Sequence, residues 1–175
     1  MAQTEALAID EQGKYIVYEL VAAKGISKDQ LKERAITFFK IERKDLKLKS
    51  NTGDTTFSAA GKLIINKTVL VMSHPSGEVV YHFQSEVKNE KFRFWLTDFS
   101  FVPYQRDRYG NFVATTNKGT PLENNPGKLN EAQWKEYRSQ TATYAIQFSK
   151  EFKNYMLNTQ AKTQSAVKKV VSKEW

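Results

Sequence analysis

The sequence predicts an α+β fold: a curved antiparallel β-sheet with two helices packed on one face, in the order strand, helix, strands, helix. Three observations predict it. From Gly77 to Tyr104 the residues write out a β-hairpin, with Val79, Tyr81, Phe83 and Val87 on one face and His82, Gln84, Glu86 and Lys88 on the other, the period of two of a half-buried strand. Ser27 opens a helix with a full set of start signals. From Asn130 to Asn158 a single aromatic stripe recurs at helical spacing.

In chain order, Lys14 to Val21 (KYIVYELV) is the first strand. Tyr15, Val17 and Glu19 alternate with Ile16, Tyr18 and Leu20; both faces are largely apolar, which places this strand at the centre of a sheet. In the first helix Ser27 is the N-cap and Gln30 completes a capping box. Asp29 suits the helix dipole, and Ile26 staples onto Leu31. Leu31, Ala35, Phe38 and Phe39 share one side, so the helix lies on a sheet.

Leu46 to Ser50 and Thr55 to about Leu70 follow as two strands around the turn Asn51-Thr52-Gly53-Asp54, with Gly61 marking a bulge or kink. Ser73-His74-Pro75-Ser76-Gly77 reads as a strong turn. In the hairpin, Lys88-Asn89-Glu90-Lys91 is the connection, and Phe92, Phe94 and Leu96 resume the apolar face. Periodicity is lost across the long loop 103–129, where Gly110, Gly119, Pro121, Pro126 and Gly127 punctuate the chain. Tyr104, Arg106, Arg108, Tyr109 and Phe112 make it a candidate lid, weighed against a plain crossover that covers a sheet edge. The second helix, 130–158, lines up Trp134, Tyr137, Thr141, Ala145, Phe148, Phe152, Tyr155 and Met156 as core. Residues 1–12 are then an N-terminal segment, 13–158 a single domain and 159–175 a basic tail that docks, frays or meets an acidic surface.

The run GKYIVYELVAAKGISKDQLKERAITFFK at Gly13 to Lys40, followed by GEVVYHFQSEVKNEKFRFWLTDF at Gly77 to Phe99, resembles a Bacteroidetes family of secreted proteins known as a domain of unknown function with a TATA-binding-protein-like fold. The likeness covers roughly residues 13 to 100, and beyond them the long C-terminal helix follows the family outline. It implies an envelope or secreted protein, periplasmic or released, made with a signal peptide and without an assigned activity. The start Met1-Ala2-Gln3-Thr4-Glu5 fits removal of such a leader, and Asp54-Thr55-Thr56 resembles a glycosylation pattern of exported proteins. The family supplies no catalytic residues, and likeness to a DNA-binding fold does not carry DNA binding with it.

Composition narrows the function classes. The 175 residues carry a net charge of +8. Lys162, Lys168, Lys169 and Lys173 against Glu174 concentrate part of it in the tail. Elsewhere lysines interleave with acids, which argues against a nucleic-acid footprint. There is no cysteine, which excludes disulfides, thiolate nucleophiles and cysteine-ligated metals. No stretch reaches the length of a membrane span. The two histidines, His74 and His82, have no partner at a ligand spacing, and Glu86, Asp98 and Asp107 are the carboxylates that a hydrolase reading would use. No catalytic motif, cofactor or metal is expected.

Binding is the stronger class. Arg93, Trp95, Thr97, Phe99 and Phe101 fall on the face opposite Phe92, Phe94 and Leu96, and helices can cover only one face. An uncovered aromatic strip marks an interaction site. The candidate ligand or partner contacts are Arg93, Trp95, Phe99 and Tyr104, for an unknown protein or an apolar small molecule, in a monomer or weak homodimer. The alternatives are a second small core beneath the long loop, and a helix-grip carrier that encloses a lipid between Trp134, Phe148 or Phe152 and the sheet.

Overall fold

The computed structural model describes residues 7–52, 55–69, 72–115, 118–124, 127 and 131–171. Its strands are β1 (Ala8–Ile9), β2 (Tyr15–Ala22), β3 (Lys47–Thr52), β4 (Thr56–Val69), β5 (Met72–Lys88), β6 (Lys91–Arg106), β7 (Phe112–Ala114) and β8 (Thr120–Pro121). Its helices are α1 (Lys28–Thr37) and α2 (Glu131–Val171). The strands form one antiparallel sheet in the order β1-β2-β6-β5-β4-β3, with β7 and β8 also paired to β6. The α+β class, the antiparallel sheet and the two helices on one face are all as the sequence predicts.

The capping box forms as expected. Gln30 N–H donates to Ser27 Oγ at 3.3 Å, and Ser27 N–H donates to Gln30 Oε1 at 3.1 Å, satisfying two donors that the first turn would leave free. α1 runs straight into a π-helical turn, Phe38–Glu42, which rotates Phe38 and Phe39 together into the core. α2 lies over the sheet with the predicted stripe buried. Phe152 is fully enclosed, with ring centroids of Phe83, Phe94 and Phe38 at 5.0, 5.0 and 5.1 Å, each within the range of favourable edge contacts. Arg34, also buried, donates to the Met156 carbonyl at 2.6 Å and ties α1 to α2.

Several local expectations are corrected. The Ser73 to Gly77 segment is part of β5 and makes no turn. Asn66 pairs with Pro75 and Ile65 with Gly77, so Ser76 is the extra residue of a bulge that accommodates a proline in a strand. Gly61 marks no bulge: a Cβ there would lie 2.5 Å from both Leu46 Cδ2 and Tyr81 Oη, so this glycine allows those side chains to close over the strand. The long loop is shorter than expected, since β6 extends to Arg106 and both β7 and β8 lie within 103–129. α2 continues past Asn158 to Val171. The expected N-cap Asn130, Asp54 of the glycosylation pattern and the side chain of His74 lie outside the described residues.

β2 is not central. β1 pairs with it only at Tyr15 and Ile16, so among the described residues most of β2 borders the sheet. Its two apolar faces have different causes: Val17 and Val21 pack on the core, whereas Tyr18 and Leu20 stand exposed on the other side.

Candidate functional site

The geometry of the open sheet face is set by one residue in β6. Between the pairs His82↔Thr97 and Val80↔Ser100, β5 contributes Tyr81 alone while β6 contributes both Asp98 and Phe99. This is a bulge, and Asp98 takes the left-handed conformation that it needs, at φ 56°. The Lys14 ammonium holds the Asp98 carboxylate at 2.7 Å. An extra residue inverts the alternation of every residue after it. Phe92, Phe94 and Leu96 face the helices before the bulge, and Phe99 and Phe101 face them after it, all buried.

Phe99 is therefore not a surface contact. The sequence reading placed it and Phe101 on the open face by uninterrupted alternation; the bulge puts Phe99 into the core, 6.2 Å from the ring of Tyr81. Tyr104 does stand on the open side, but nine residues of strand separate it from Trp95, roughly 30 Å at strand rise. Burial raises its phenol pKa, with the Glu78 carboxylate adding to the rise. Around it the open face is partly covered: Val102 is buried, and a Cβ at Gly119 would lie 2.8 Å from Ser100 Cβ and 3.1 Å from Val102 Cγ2. Trp134 Nε1 and Arg138 donate to the Leu122 carbonyl and hold this crossover against α2. At this end the loop does cover the sheet, as the plainer alternative has it.

Arg93 and Trp95 are brought together, and β2 adds two residues that the sequence reading left out. Tyr18 is in register with Trp95, and Leu20 with Arg93. The Tyr18 and Trp95 rings stack at 6.1 Å, and the Arg93 guanidinium lies 5.6 Å from the Trp95 centroid. Arg93 Nε donates to Glu86 Oε2 at 2.7 Å. That hydrogen bond raises the guanidinium pKa, with the Tyr18 hydroxyl acting in the same direction. Leu20 is 65% exposed and Tyr18 47%. Tyr18, Leu20 and Arg93, together with Glu86, Lys88 and Lys91, line a shallow groove of about 210 Å³. The neighbouring positions on β5 and β4, His82, Gln84 and Ser58, are polar, so the apolar patch is confined to the β2–β6 border. The signal for Tyr18 and Leu20 was the doubly apolar strand, which was read as evidence of a central position.

The carboxylates considered for hydrolysis do not converge. Glu86 holds Arg93, Asp98 holds Lys14, and Asp107 accepts the backbone N–H groups of Tyr109 and Asn111 at 2.9 Å. Among the described residues, no three His, Asp or Glu side chains form a metal-binding group.

A larger cleft of about 770 Å³ lies beside the π-helical turn, lined by Phe38, Glu42, Arg43, Tyr144, Glu151 and Tyr155 among others. Nothing in the sequence reading pointed to it. Arg43 donates to both oxygens of Asp45 at 3.0 Å, to Glu151 at 3.2 Å and to the Tyr144 hydroxyl at 2.6 Å, and that hydroxyl lies 2.7 Å from the buried Tyr81 hydroxyl. Burial is the largest single influence on Arg43 and works against its charge, but Asp45 and Tyr144 together outweigh it and the guanidinium pKa rises. Burial, then Tyr144, pushes the Tyr81 phenol above its ordinary value. With its guanidinium so committed, Arg43 fastens the π turn to α2, and the Tyr144 hydroxyl carries the link on to Tyr81 of the sheet.

The space that a helix-grip carrier would need is filled by side chains. Phe148 and Phe152 meet Phe83 at 5.1 and 5.0 Å, and Phe101 stacks on Tyr137 at 4.0 Å. No helix among the described residues is long and apolar enough to cross a membrane.

Two solved structures share this fold. A TBP-like protein from Parabacteroides distasonis superposes with a TM-score of 0.65 at 13% identity, covering 88% of this chain and 99% of its own. A DUF4468 family protein from Bacteroides ovatus gives 0.60, also at 13% identity, covering 86% and 90%. Comparison with curated proteins gives no match. Identities this low speak for the fold alone. The resemblance read from the sequence is borne out by a family match: residues 18–102 match the model of a domain of unknown function (DUF4468) with TBP-like fold.

Proposed function

We propose that the protein is a noncatalytic binding module of the cell envelope, exported to the periplasm or beyond, that works through the patch formed by Tyr18, Leu20, Arg93 and Trp95. The single observation carrying this reading is the stack of the exposed Tyr18 on the partly buried Trp95, flanked by exposed Leu20 and by an arginine already held in place by Glu86. Aromatic and arginine side chains fixed in advance lose little conformational freedom when a partner arrives, which is why such groups dominate binding surfaces. Export is supported by the family resemblance over residues 18–102. The packed interface between α2 and the sheet favours this module over the carrier.

A photoreactive residue at Leu20, in protein expressed in a Bacteroidetes host, tests the reading. Crosslinked species in the envelope fraction at Leu20, and none from the same residue at Ile64 on the opposite side of the same face, are expected. Equal crosslinking at both positions, or at neither, would sink the module. Recovery of the protein in the cytoplasmic fraction would remove the envelope assignment.

A further inference from the structure

We infer that the patch receives an extended peptide of a partner protein, which adds as a strand to the free border of β2 and points an acidic side chain at Lys88 and Lys91. The inference rests on the binding-module reading and supplies the partner's chemistry.

Backbone direction is the first argument. Tyr15 N–H donates to Glu123, Tyr15 C=O accepts from Thr97, and Ala23 N–H donates to the Glu90 carbonyl; odd-numbered residues here turn their backbone groups toward β6 and its hairpin. The even-numbered residues Tyr18, Leu20 and Ala22 then turn theirs outward. β1 reaches only Ile16, and no described strand pairs with β2 beyond it.

The second argument compares the two borders of the sheet. β3, at the far border, is guarded: exposed Lys47 and Lys49 alternate along it, and its ladder is broken by a register shift between Leu48 and Ser50. Lysines and bulges are the usual protection against pairing with a stray strand. Between Val17 and Ala22, β2 has neither. Its one charged residue, Glu19, points under α2, where Lys153 lies 3.4 Å away. An unprotected border beside the exposed Tyr18 and Leu20 suits strand addition, with main-chain bonds for affinity and side-chain contacts for selectivity.

Charge supplies the third. Lys88 and Lys91 face one another across the hairpin and line the groove with Leu20. Arg93 is neutralised by Glu86, whereas no carboxylate among the described residues pairs with either lysine. A partner strand with carboxylates at that end completes the site.

The test uses the full chain, labelled with ¹⁵N, and two synthetic peptides: Asp-Asp-Val-Tyr-Val-Tyr-Val and its counterpart with Lys-Lys in place of Asp-Asp. The acidic peptide is expected to shift the Tyr18, Leu20 and Ala22 amide signals and slow their hydrogen exchange. The basic peptide, or a Lys88→Glu/Lys91→Glu variant with the acidic peptide, should bind on the order of five- to tenfold more weakly. Leu20→Pro, which removes an outward-facing donor, should abolish binding; if it does not fold, the charge-reversal variant carries the test alone. Shifts at Arg93 and Trp95 without protection of the β2 amides would overturn strand addition and leave the binding module standing. Those amides being already protected in the protein alone, by its own residues 1–6 or by a second copy in a concentration-dependent dimer, would also overturn it, as would no response to either peptide. Failure of the module itself is read separately, from crosslinking at Leu20.

Discussion

The two halves of β6 differ in what the same residue types do. Before Asp98, Trp95 stands on the open face and touches Tyr18; after it, Phe99 and Phe101 sit beneath the helices. Trp95, Phe99 and Phe101 would share one face on an unbroken strand. One extra residue divides them into a surface patch and a piece of core, so an aromatic residue's role here is decided by its side of the bulge.

The sharpest way to break that comparison is to truncate one aromatic on each side. Phe99→Ala should cost about 3–5 kcal/mol, as for other fully buried phenylalanines, whereas Trp95→Ala should cost about 1–2 kcal/mol because its ring is only partly buried. Urea denaturation of the two variants reads the difference; equal losses would mean that the patch is structural. Next in size, Asp98→Val should destabilise by about 1–2 kcal/mol, since a β-branched residue resists the left-handed conformation, while Asp98→Gly should lose only a few tenths of that order, the relaxed backbone offsetting the lost Lys14 ion pair. A Val variant as stable as the parent would show that the bulge does not depend on Asp98.

The helix-covered face also has a pH signature of its own. Tyr81 keeps its proton in the folded protein beyond the pH at which an unfolded tyrosine, near 10, loses it. Above that pH the unfolded chain binds fewer protons than the native one, so stability falls as pH rises. Tyr81→Phe should cost about 1 kcal/mol at neutral pH through the lost bond to Tyr144, and should show a shallower decline in alkaline denaturation. A parallel decline in both proteins would place the titration elsewhere. The smallest effect is expected at Glu86→Gln: roughly 0.5 kcal/mol or less at this partly exposed pair, with a visible change in Trp95 fluorescence as Arg93 is released.

Much of the architecture was legible because it is written in local patterns. Ser27 and Gln30 form their capping box wherever such a helix starts, and the stripe from Trp134 to Met156 has one periodicity that can be buried on one surface. The candidate site was legible only in part. Arg93 and Trp95 were found by alternation, but Phe99 was misplaced because alternation counts residues and cannot see a bulge. Tyr18 and Leu20 were missed because apolar side chains on both faces of a strand describe a central strand and an exposed one equally well. The Ser73 to Gly77 segment misled for a related reason: its turn-forming residues serve a bulge inside β5, with Asn66 opposite Pro75.

The sequence by itself determined the order of elements, the buried stripe of each helix, the hairpin and the absence of thiol chemistry, because each depends on neighbours a few residues apart. Only the tertiary structure decided that Phe99 belongs to the core, that the crossover shelters Val102 but not Trp95, and that β2 borders the sheet with its Tyr18 and Leu20 uncovered. Those outcomes depend on which strand lies beside which, and on a single left-handed residue whose effect reverses every side chain beyond it.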